Sequence, residues 1–212
     1  MDALRPGDVV LDVGANIGFL TALAGRLVGP AGRVIAFEPV PANARLVRRN
    51  AALNRQAHID IVESAVGDHD GAATLVLARH AGGAALADAE HPPDACGELR
   101  VALVTLDGWL GANAACLPGP VRLVKIDVEG AEAAVLSGAT ALLTRERPLV
   151  LLEVDAADVA AAEAKYERCR EFLVRLGYGV ERLPSAYPGL NWQVIHLLAR
   201  PGGGGSGEDS PS

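Results

Sequence analysis

The sequence predicts an α/β fold with a mainly parallel sheet and helices on both faces. Short apolar runs alternate along the chain with segments of helical periodicity, as they do in βαβ units. The apolar runs are continuous, which is typical of strands that are buried on both faces. The first run leads into a glycine turn, DVGANIG at residues 12–18, and a helical segment follows it.

The first half of the chain contains three predicted strands and two predicted helices. The strands are the apolar runs at Val9–Val13, Arg33–Phe37 and Ile59–Val62. One helix is expected over residues 20–28, because the pair Gly29-Pro30 ends its periodic pattern. A second helix is expected over residues 41–54, where a proline starts the segment and apolar residues recur at helical spacing.

The second half repeats the alternation. Apolar runs predict strands at residues 121–128, 149–154, 178–183 and 192–198. A long helical pattern over residues 158–176 separates the second of these runs from the third and ends at Gly177. These runs complete a sheet of seven predicted strands.

Two segments do not follow this pattern. Residues 79–98 are rich in Gly, Ala, Pro and Asp, and we interpret them as a long loop near the site that could act as a lid. Residues 201–212 are rich in Gly and Ser and predict a disordered tail. The expected organisation is therefore a single domain over residues 1–200.

The composition indicates a cytoplasmic protein without nucleic-acid or membrane partners. The formal net charge is −7 and the pI about 5.2, whereas nucleic-acid binders usually present a basic face. No apolar run reaches the roughly 20 residues of a membrane span, and the start of the chain lacks the pattern of a signal peptide. The three cysteines are far apart, which fits reduced thiols.

The glycine turn is typical of a nucleotide-binding loop, but it departs from the dinucleotide fingerprint. That fingerprint is GxGxxG, and its second glycine allows the backbone to approach a pyrophosphate. Asn16 occupies that position here, which disfavours NAD or FAD. No GxxxxGK[ST] sequence is present, which disfavours a P-loop. Close strand–helix packing without any ligand remains the structural alternative for Gly14 and Gly18.

Glu38 supports a ligand at this turn. It lies 20 residues after Gly18, just past the second predicted strand, where an acid can accept hydrogen bonds from ribose hydroxyls. A glycine turn and a ribose-binding acid without a pyrophosphate site fit an adenosine cofactor that lacks phosphates. S-adenosylmethionine is the common example, and Asp12 at the end of the first strand could receive its ammonium group.

Charged residues cluster at residues 123–132, LVKIDVEGAE. Because side chains alternate along a strand, Lys125, Asp127 and Glu129 should share one face. Asp127 should lie at the carboxyl edge of the sheet, where open α/β sheets bind ligands. Glu132 is expected in the first turn of the next helix, and Glu153 should lie beside Asp127 if their strands are neighbours.

The converging carboxylates could do acid–base chemistry or bind a divalent metal. A metal held by Asp127, Glu129 and Glu153 would resemble Mg²⁺, but no further ligand pattern supports one, and we predict no metal site. His196 lies mid-strand among apolar neighbours, and a lone histidine there is more often a core residue than a base.

Several motifs together resemble the FkbM-type methyltransferases. They run in order from about residue 8 to residue 154. The most specific combination is DVGAN-G with FEP-P-N and KID-EG-E. The segments are VVLDVGANIGFLT, AFEPVPANARLVRRN, SAVGDHDG, VTLDGWL, LVKIDVEGAEAAVLSGA and LLEV.

The resemblance implies a class I methyltransferase fold, a Rossmann-like three-layer sandwich with a seven-stranded sheet. It also implies methyl transfer from S-adenosylmethionine, usually to a hydroxyl of a sugar or secondary metabolite. Glu38 would bind the ribose, and Asp127 would face the reacting methyl group. The methionine and ribose side of the cofactor would contact Asp12, Gly14, Asn16 and Gly18. The adenine would be bordered by Ser64, Ala65 and Val66.

A hydroxyl must lose its proton to become a good nucleophile, so we expect an acidic side chain near it. Asp127 or Glu153 could be this base, and Lys125 could stabilise the developing alkoxide. Two alternatives stay open: a nicotinamide-dinucleotide-dependent oxidoreductase, and a binding module that has lost catalysis. The sequence leaves the methyl acceptor and the oligomeric state undetermined.

Overall fold

The computed structural model describes residues 4–78, 84–86, 95–184 and 193–202. Within these residues the α-helices are α1 (Phe19–Val28), α2 (Pro41–Leu53), α3 (Leu106–Asn113), α4 (Glu132–Ser137), α5 (Thr140–Arg145) and α6 (Val159–Arg175). The strands are β1 (Val9–Val13), β2 (Arg33–Phe37), β3 (Ile59–Val62), β4 (Ser64–Val66), β5 (Gly71–Ala78), β6 (Ala84–Leu86), β7 (Ala95–Val104), β8 (Val121–Ile126), β9 (Leu149–Ala156), β10 (Tyr178–Arg182) and β11 (Gln193–Pro201).

Seven of the described strands form the main sheet, in the order β10-β11-β9-β8-β1-β2-β3. The pairs from β9 to β3 are parallel, and β11 runs antiparallel to both of its neighbours. The direction of the strand order reverses between β1 and β8. Open α/β sheets bind their ligands at such a reversal, outside the carboxyl ends of the strands.

The side chains of β1 separate two hydrophobic layers. Val9, Leu11 and Val13 pack into the larger core with residues of α3 to α6. Val10 points to the opposite face and packs with residues of α1 and α2. The prediction of a mainly parallel sheet between two helical layers is therefore confirmed.

A second sheet of four described strands, in the order β4-β7-β5-β6, was not predicted. It corrects the expected loop at residues 79–98, because residues 84–86 and 95–98 belong to β6 and β7. The rest of that loop lies outside the described residues, so its role as a lid stays a prediction. The Gly- and Ala-rich sequence hid these strands, since small residues give little alternation of apolar and polar side chains.

The bounds of β1, β2 and β3 agree with the prediction, and the strand predicted at 121–128 ends at Ile126. The short helices α3 and α5 were not predicted. All three cysteines are free thiols, with Cys169 buried and Cys96 and Cys116 exposed. Within the described part of the chain, no helix is both long enough and apolar enough to cross a membrane.

Candidate functional site

A cavity of about 220 Å³ lies at the carboxyl ends of β1, β2, β8 and β9, and the second sheet borders it. Residues from both sides of the strand-order reversal contribute to its lining. The lining residues are Val13, Gly14, Asn16, Phe37, Glu38, Pro39, Asn43, Ser64, Ala65, Val66, Leu75, Asp127, Val128, Glu129, Ala131 and Glu153.

The glycine turn forms one wall of the cavity. Gly14, Asn16 and Gly18 all have positive φ angles, of 76°, 53° and 86°. Asparagine tolerates this left-handed conformation better than most residues, which explains how Asn16 can replace a glycine. A Cβ atom on Gly14 would lie 1.8 Å from the backbone oxygen of Asp127, so the turn and the end of β8 are in contact.

Glu38 is fixed at the end of β2. Its carboxylate accepts hydrogen bonds from the backbone N–H of Asn16, at 2.8 Å, and of Val40, at 2.9 Å. The Asn43 side chain adds a longer contact at 3.4 Å. Burial raises the pKa of Glu38, and the hydrogen bonds and the charge of Lys125 partly offset that rise. The acid predicted to bind ribose therefore also holds the glycine turn to β2.

Lys125 is a buried cation below the cavity. Its Nζ donates to the backbone oxygen of Gly14 at 2.6 Å and lies 3.2 Å from Asp12 and 3.4 Å from Asp127. Burial lowers the pKa of Lys125, but the two carboxylates more than offset this, and the net shift is upward. Asp12 in turn accepts a hydrogen bond from Thr21 of α1. Lys125 of β8 thus connects β1 to the Asp127 carboxylate, which lines the cavity.

Glu153 lies at the cavity edge with His196 beside it. Their side chains meet across β9 and β11, with 2.6 Å between His196 Nε2 and Glu153 Oε2. Burial is the main cause that raises the pKa of Glu153, and the nearby Asp127 raises it further. His196 acts in the opposite direction, through its charge and its hydrogen bond.

Glu132 begins α4, as predicted, and is 2% exposed. Its carboxylate accepts a hydrogen bond from the backbone N–H of Gly130 at 2.7 Å. Burial raises its pKa to about 7. Glu132 therefore stabilises the turn after β8 from inside the fold and does not line the cavity.

Eight of the residues predicted for the site line the cavity together: Gly14, Asn16, Glu38, Ser64, Ala65, Val66, Asp127 and Glu153. Asp12, Gly18 and Lys125 do not line it. Asp12 is 2% exposed and faces Lys125 and Thr21, and a Cβ atom on Gly18 would lie 3.0 Å from Val47 of α2. These three residues therefore contact other parts of the fold next to the cavity and not the cavity itself. The proximity of His196 to Glu153 was missed, because it depends on the register of β11.

Four carboxylates line the cavity, from Glu38, Asp127, Glu129 and Glu153, and no basic side chain of the described residues does. This charge favours a cationic ligand and opposes a pyrophosphate. No three described side chains of His, Cys, Asp or Glu come together as a metal site would require.

The fold is that of the class I methyltransferases, as comparison with solved structures shows. The FkbM methyltransferase of Methylobacillus flagellatus superposes with a TM-score of 0.61 at 17% identity, covering 93% of this chain and 44% of that one. The fibrillarin of Aeropyrum pernix, solved with natively bound S-adenosyl-L-methionine, gives a TM-score of 0.55 at 16% identity, covering 92% of this chain and 67% of that one.

The chain belongs to the FkbM methyltransferase family, because the Methyltransferase FkbM domain matches residues 12–180. A curated relative is the 31-O-demethyl-FK506 methyltransferase FkbM of Streptomyces tacrolimicus, 34% identical over 163 residues. That alignment covers 64% of this chain and 60% of the relative. The chain therefore spans somewhat more than half the length of this relative.

Lys125→Met should destabilise the fold by about 3–5 kcal/mol, because it leaves the buried Asp12 without its cation. The double variant Asp12→Asn/Lys125→Met should recover part of that loss. Urea unfolding of the two single variants and the double variant measures the coupling. Strictly additive losses would contradict the ion pair.

The free energy of unfolding should fall by about 3 kcal/mol as the pH rises from about 5 to about 8, because of Glu132. Its pKa is about 7 in the folded chain against an ordinary value of 4.5, so the folded state binds the extra proton and loses that advantage at high pH. Glu132→Gln should remove this slope, as measured by urea unfolding at several pH values. The exposed Glu167→Gln is the control and should leave the slope unchanged.

Proposed function

We propose that the chain is an S-adenosylmethionine-dependent methyltransferase that methylates a hydroxyl of a sugar or secondary metabolite. The observation that carries the proposal is the acidic lining of the cavity, in which a buried acid lies beside a glycine turn and all charged lining residues of the described chain are acidic. A sulfonium cofactor with an ammonium group fits this charge. The curated relative is named as a 31-O-demethyl-FK506 methyltransferase, and this name supports methyl transfer to an oxygen.

The cofactor would lie across the carboxyl ends of β1, β2 and β4. Glu38 would accept hydrogen bonds from the ribose hydroxyls, since the Asn16 N–H occupies only one acceptor position of Oε2. The segment Ser64–Val66 and Leu75 would border the adenine. When bound, S-adenosylmethionine supplies the methyl group and a good leaving group.

The chain's own task is to position the acceptor hydroxyl and remove its proton. Asp127 and Glu153 both line the cavity, on neighbouring strands, and either carboxylate could be the base. Lys125 acts indirectly in this proposal. It lies 3.4 Å from Asp127 and is not among the residues that line the cavity, so we place it as a residue that positions Asp127.

A nicotinamide-dinucleotide-dependent oxidoreductase is disfavoured by the same charges, since four lining carboxylates would repel a pyrophosphate. Titration calorimetry with S-adenosylhomocysteine and with NAD separates the two classes. Micromolar binding of S-adenosylhomocysteine alone is expected. Tighter binding of NAD would overturn the proposal.

A labelled-methyl assay tests catalysis directly. Radiolabelled S-adenosylmethionine is incubated with the protein and an extract of the producing cell, and the labelled product is identified by mass spectrometry. The proposal expects a methyl ether on a small molecule. Cofactor binding without labelling of any fraction would favour the non-catalytic binding module.

Glu38→Gln should weaken S-adenosylhomocysteine binding roughly 10- to 100-fold, because a charged acceptor is lost and the new amide faces the N–H groups of Asn16 and Val40. Calorimetry measures the change. Glu63→Gln is a matched control, since Glu63 is exposed and pairs with Arg48 outside the cavity. Equal affinity of the Glu38 variant and the control would contradict a ribose contact.

Asp127→Asn and Glu153→Gln, made separately, should show which carboxylate is the base. Loss of the base should lower turnover roughly 10²- to 10⁴-fold and leave S-adenosylhomocysteine binding largely intact. Turnover on the identified acceptor and calorimetry are measured on the same preparations. If neither variant loses turnover, both base assignments are wrong.

A further inference from the structure

We propose that His196 of β11 is a positioning residue that holds Glu153 as the proton acceptor for the methyl-accepting hydroxyl. The proposal rests on the proposed function, and it selects Glu153 over Asp127 as the base. It also assigns a role to a strand outside the family match, which ends at residue 180.

The geometry of the pair is set by strand register. Glu153 and His196 are direct partners across β9 and β11, so their side chains project from the same face of the sheet. The 2.6 Å contact joins His196 Nε2 to Glu153 Oε2. No hydrogen bond within the described residues uses Glu153 Oε1. One oxygen of the carboxylate is therefore held, and the other can receive a proton.

The two side chains differ in access to the cavity. Glu153 is one of its lining residues, whereas His196 is not. The Glu153 side chain is 27% exposed and the His196 side chain 17%. An acceptor hydroxyl in the cavity would thus contact Glu153 and not His196, which lies on the side of Glu153 away from the cavity.

Other charges near Glu153 oppose its ionisation. Asp127, at the end of β8, and Asp155, on β9, both raise its pKa in addition to burial. His196 lowers it through charge and hydrogen bonding. A base must be ionised before it can accept a proton. His196 favours the ionised form of Glu153, which the neighbouring carboxylates disfavour.

Asp127 is held differently. Its carboxylate lies 3.4 Å from the Lys125 ammonium group, so Asp127 already has a cationic partner within the fold. Glu153 has only a histidine as its close partner in the described structure. Asp127 is thus engaged by a cation inside the fold, whereas the Glu153 carboxylate keeps one oxygen that can take the proton of the acceptor hydroxyl.

The step conserves atoms and charge. The hydroxyl oxygen forms a bond to the methyl carbon of S-adenosylmethionine as the carbon–sulfur bond breaks, with the electron pair remaining on sulfur. The hydroxyl proton moves to Glu153 Oε1. The N–H of His196 stays bonded to Oε2 throughout.

The ionisation of Glu153 can be followed by ¹³C NMR of protein labelled at the glutamate carboxyl carbons, with the signal assigned through Glu153→Gln. His196→Phe should raise the titration midpoint of Glu153 by about one pH unit, because the donor is lost. His196→Gln, whose amide still donates, should raise it less. His69→Phe is the control, since His69 is exposed and pairs with Asp68, and it should leave the midpoint unchanged.

Calorimetry with S-adenosylhomocysteine establishes that each variant is folded and retains cofactor binding. An unchanged midpoint in a cofactor-binding His196→Phe protein would overturn the proposal.

The protonation site of His196 can also be measured in the unsubstituted protein, which avoids any effect of a substitution on folding. ¹⁵N NMR should show His196 protonated at Nε2 near neutral pH, and a neutral Nδ1–H tautomer would overturn the proposal.

Turnover distinguishes a catalytic role from a purely structural one. On an identified acceptor, the acidic limb of the kcat/KM profile should move to higher pH in His196→Phe, by the same amount as the NMR midpoint. A limb that stays in place would overturn the role in catalysis. A protein that binds S-adenosylhomocysteine but methylates no hydroxyl would instead contradict the proposed function, whatever the NMR result.

Discussion

The candidate site depends on the contact between the carboxyl ends of β1 and β8. The backbone N–H of Asp127 donates to Val13 at 3.1 Å, and the space at Gly14 is too small for any side chain. Lys125 of β8 stabilises the same contact between β1 and β8, because its Nζ donates a hydrogen bond to the backbone oxygen of Gly14. The glycine turn and Asp127 are consequently held in direct contact, although more than a hundred residues separate them in sequence.

The contact between β1 and β8 also explains how an acidic cavity can exist at the end of a buried sheet. Carboxylates that lose water need a nearby cation or hydrogen-bond donors to remain charged. Lys125 supplies the cation, and the backbone N–H groups at Asn16 and Val40 supply donors to Glu38. The main sheet and its loops therefore supply the charge and the hydrogen-bond donors that offset the lost hydration of these carboxylates. A ligand does not have to supply them.

The parts of the site that could be predicted are those determined by local sequence. The glycine turn, Glu38 and Asp127 each follow a strand that its own apolar residues define, so their meeting at one sheet edge follows from the parallel topology. Other features depend on contacts between distant segments. The burial of Lys125 against Asp12 depends on which face of the sheet meets α1, and the contact of His196 with Glu153 depends on an antiparallel register.

Within the described residues, the second sheet is connected to the rest of the fold at β4 and at the end of β7. β4 leads into it, and Asp70 accepts a hydrogen bond from the backbone N–H of Thr105 where β7 leads into α3. Among the cavity-lining residues, Leu75 comes from β5 of the second sheet, whereas the acidic residues lie on strands of the main sheet or directly follow them. A substitution in β5 would therefore reshape one wall of the cavity and leave its acidic groups in place. The shape and the charge of the cavity are thus determined by different parts of the chain, so that one can change without the other.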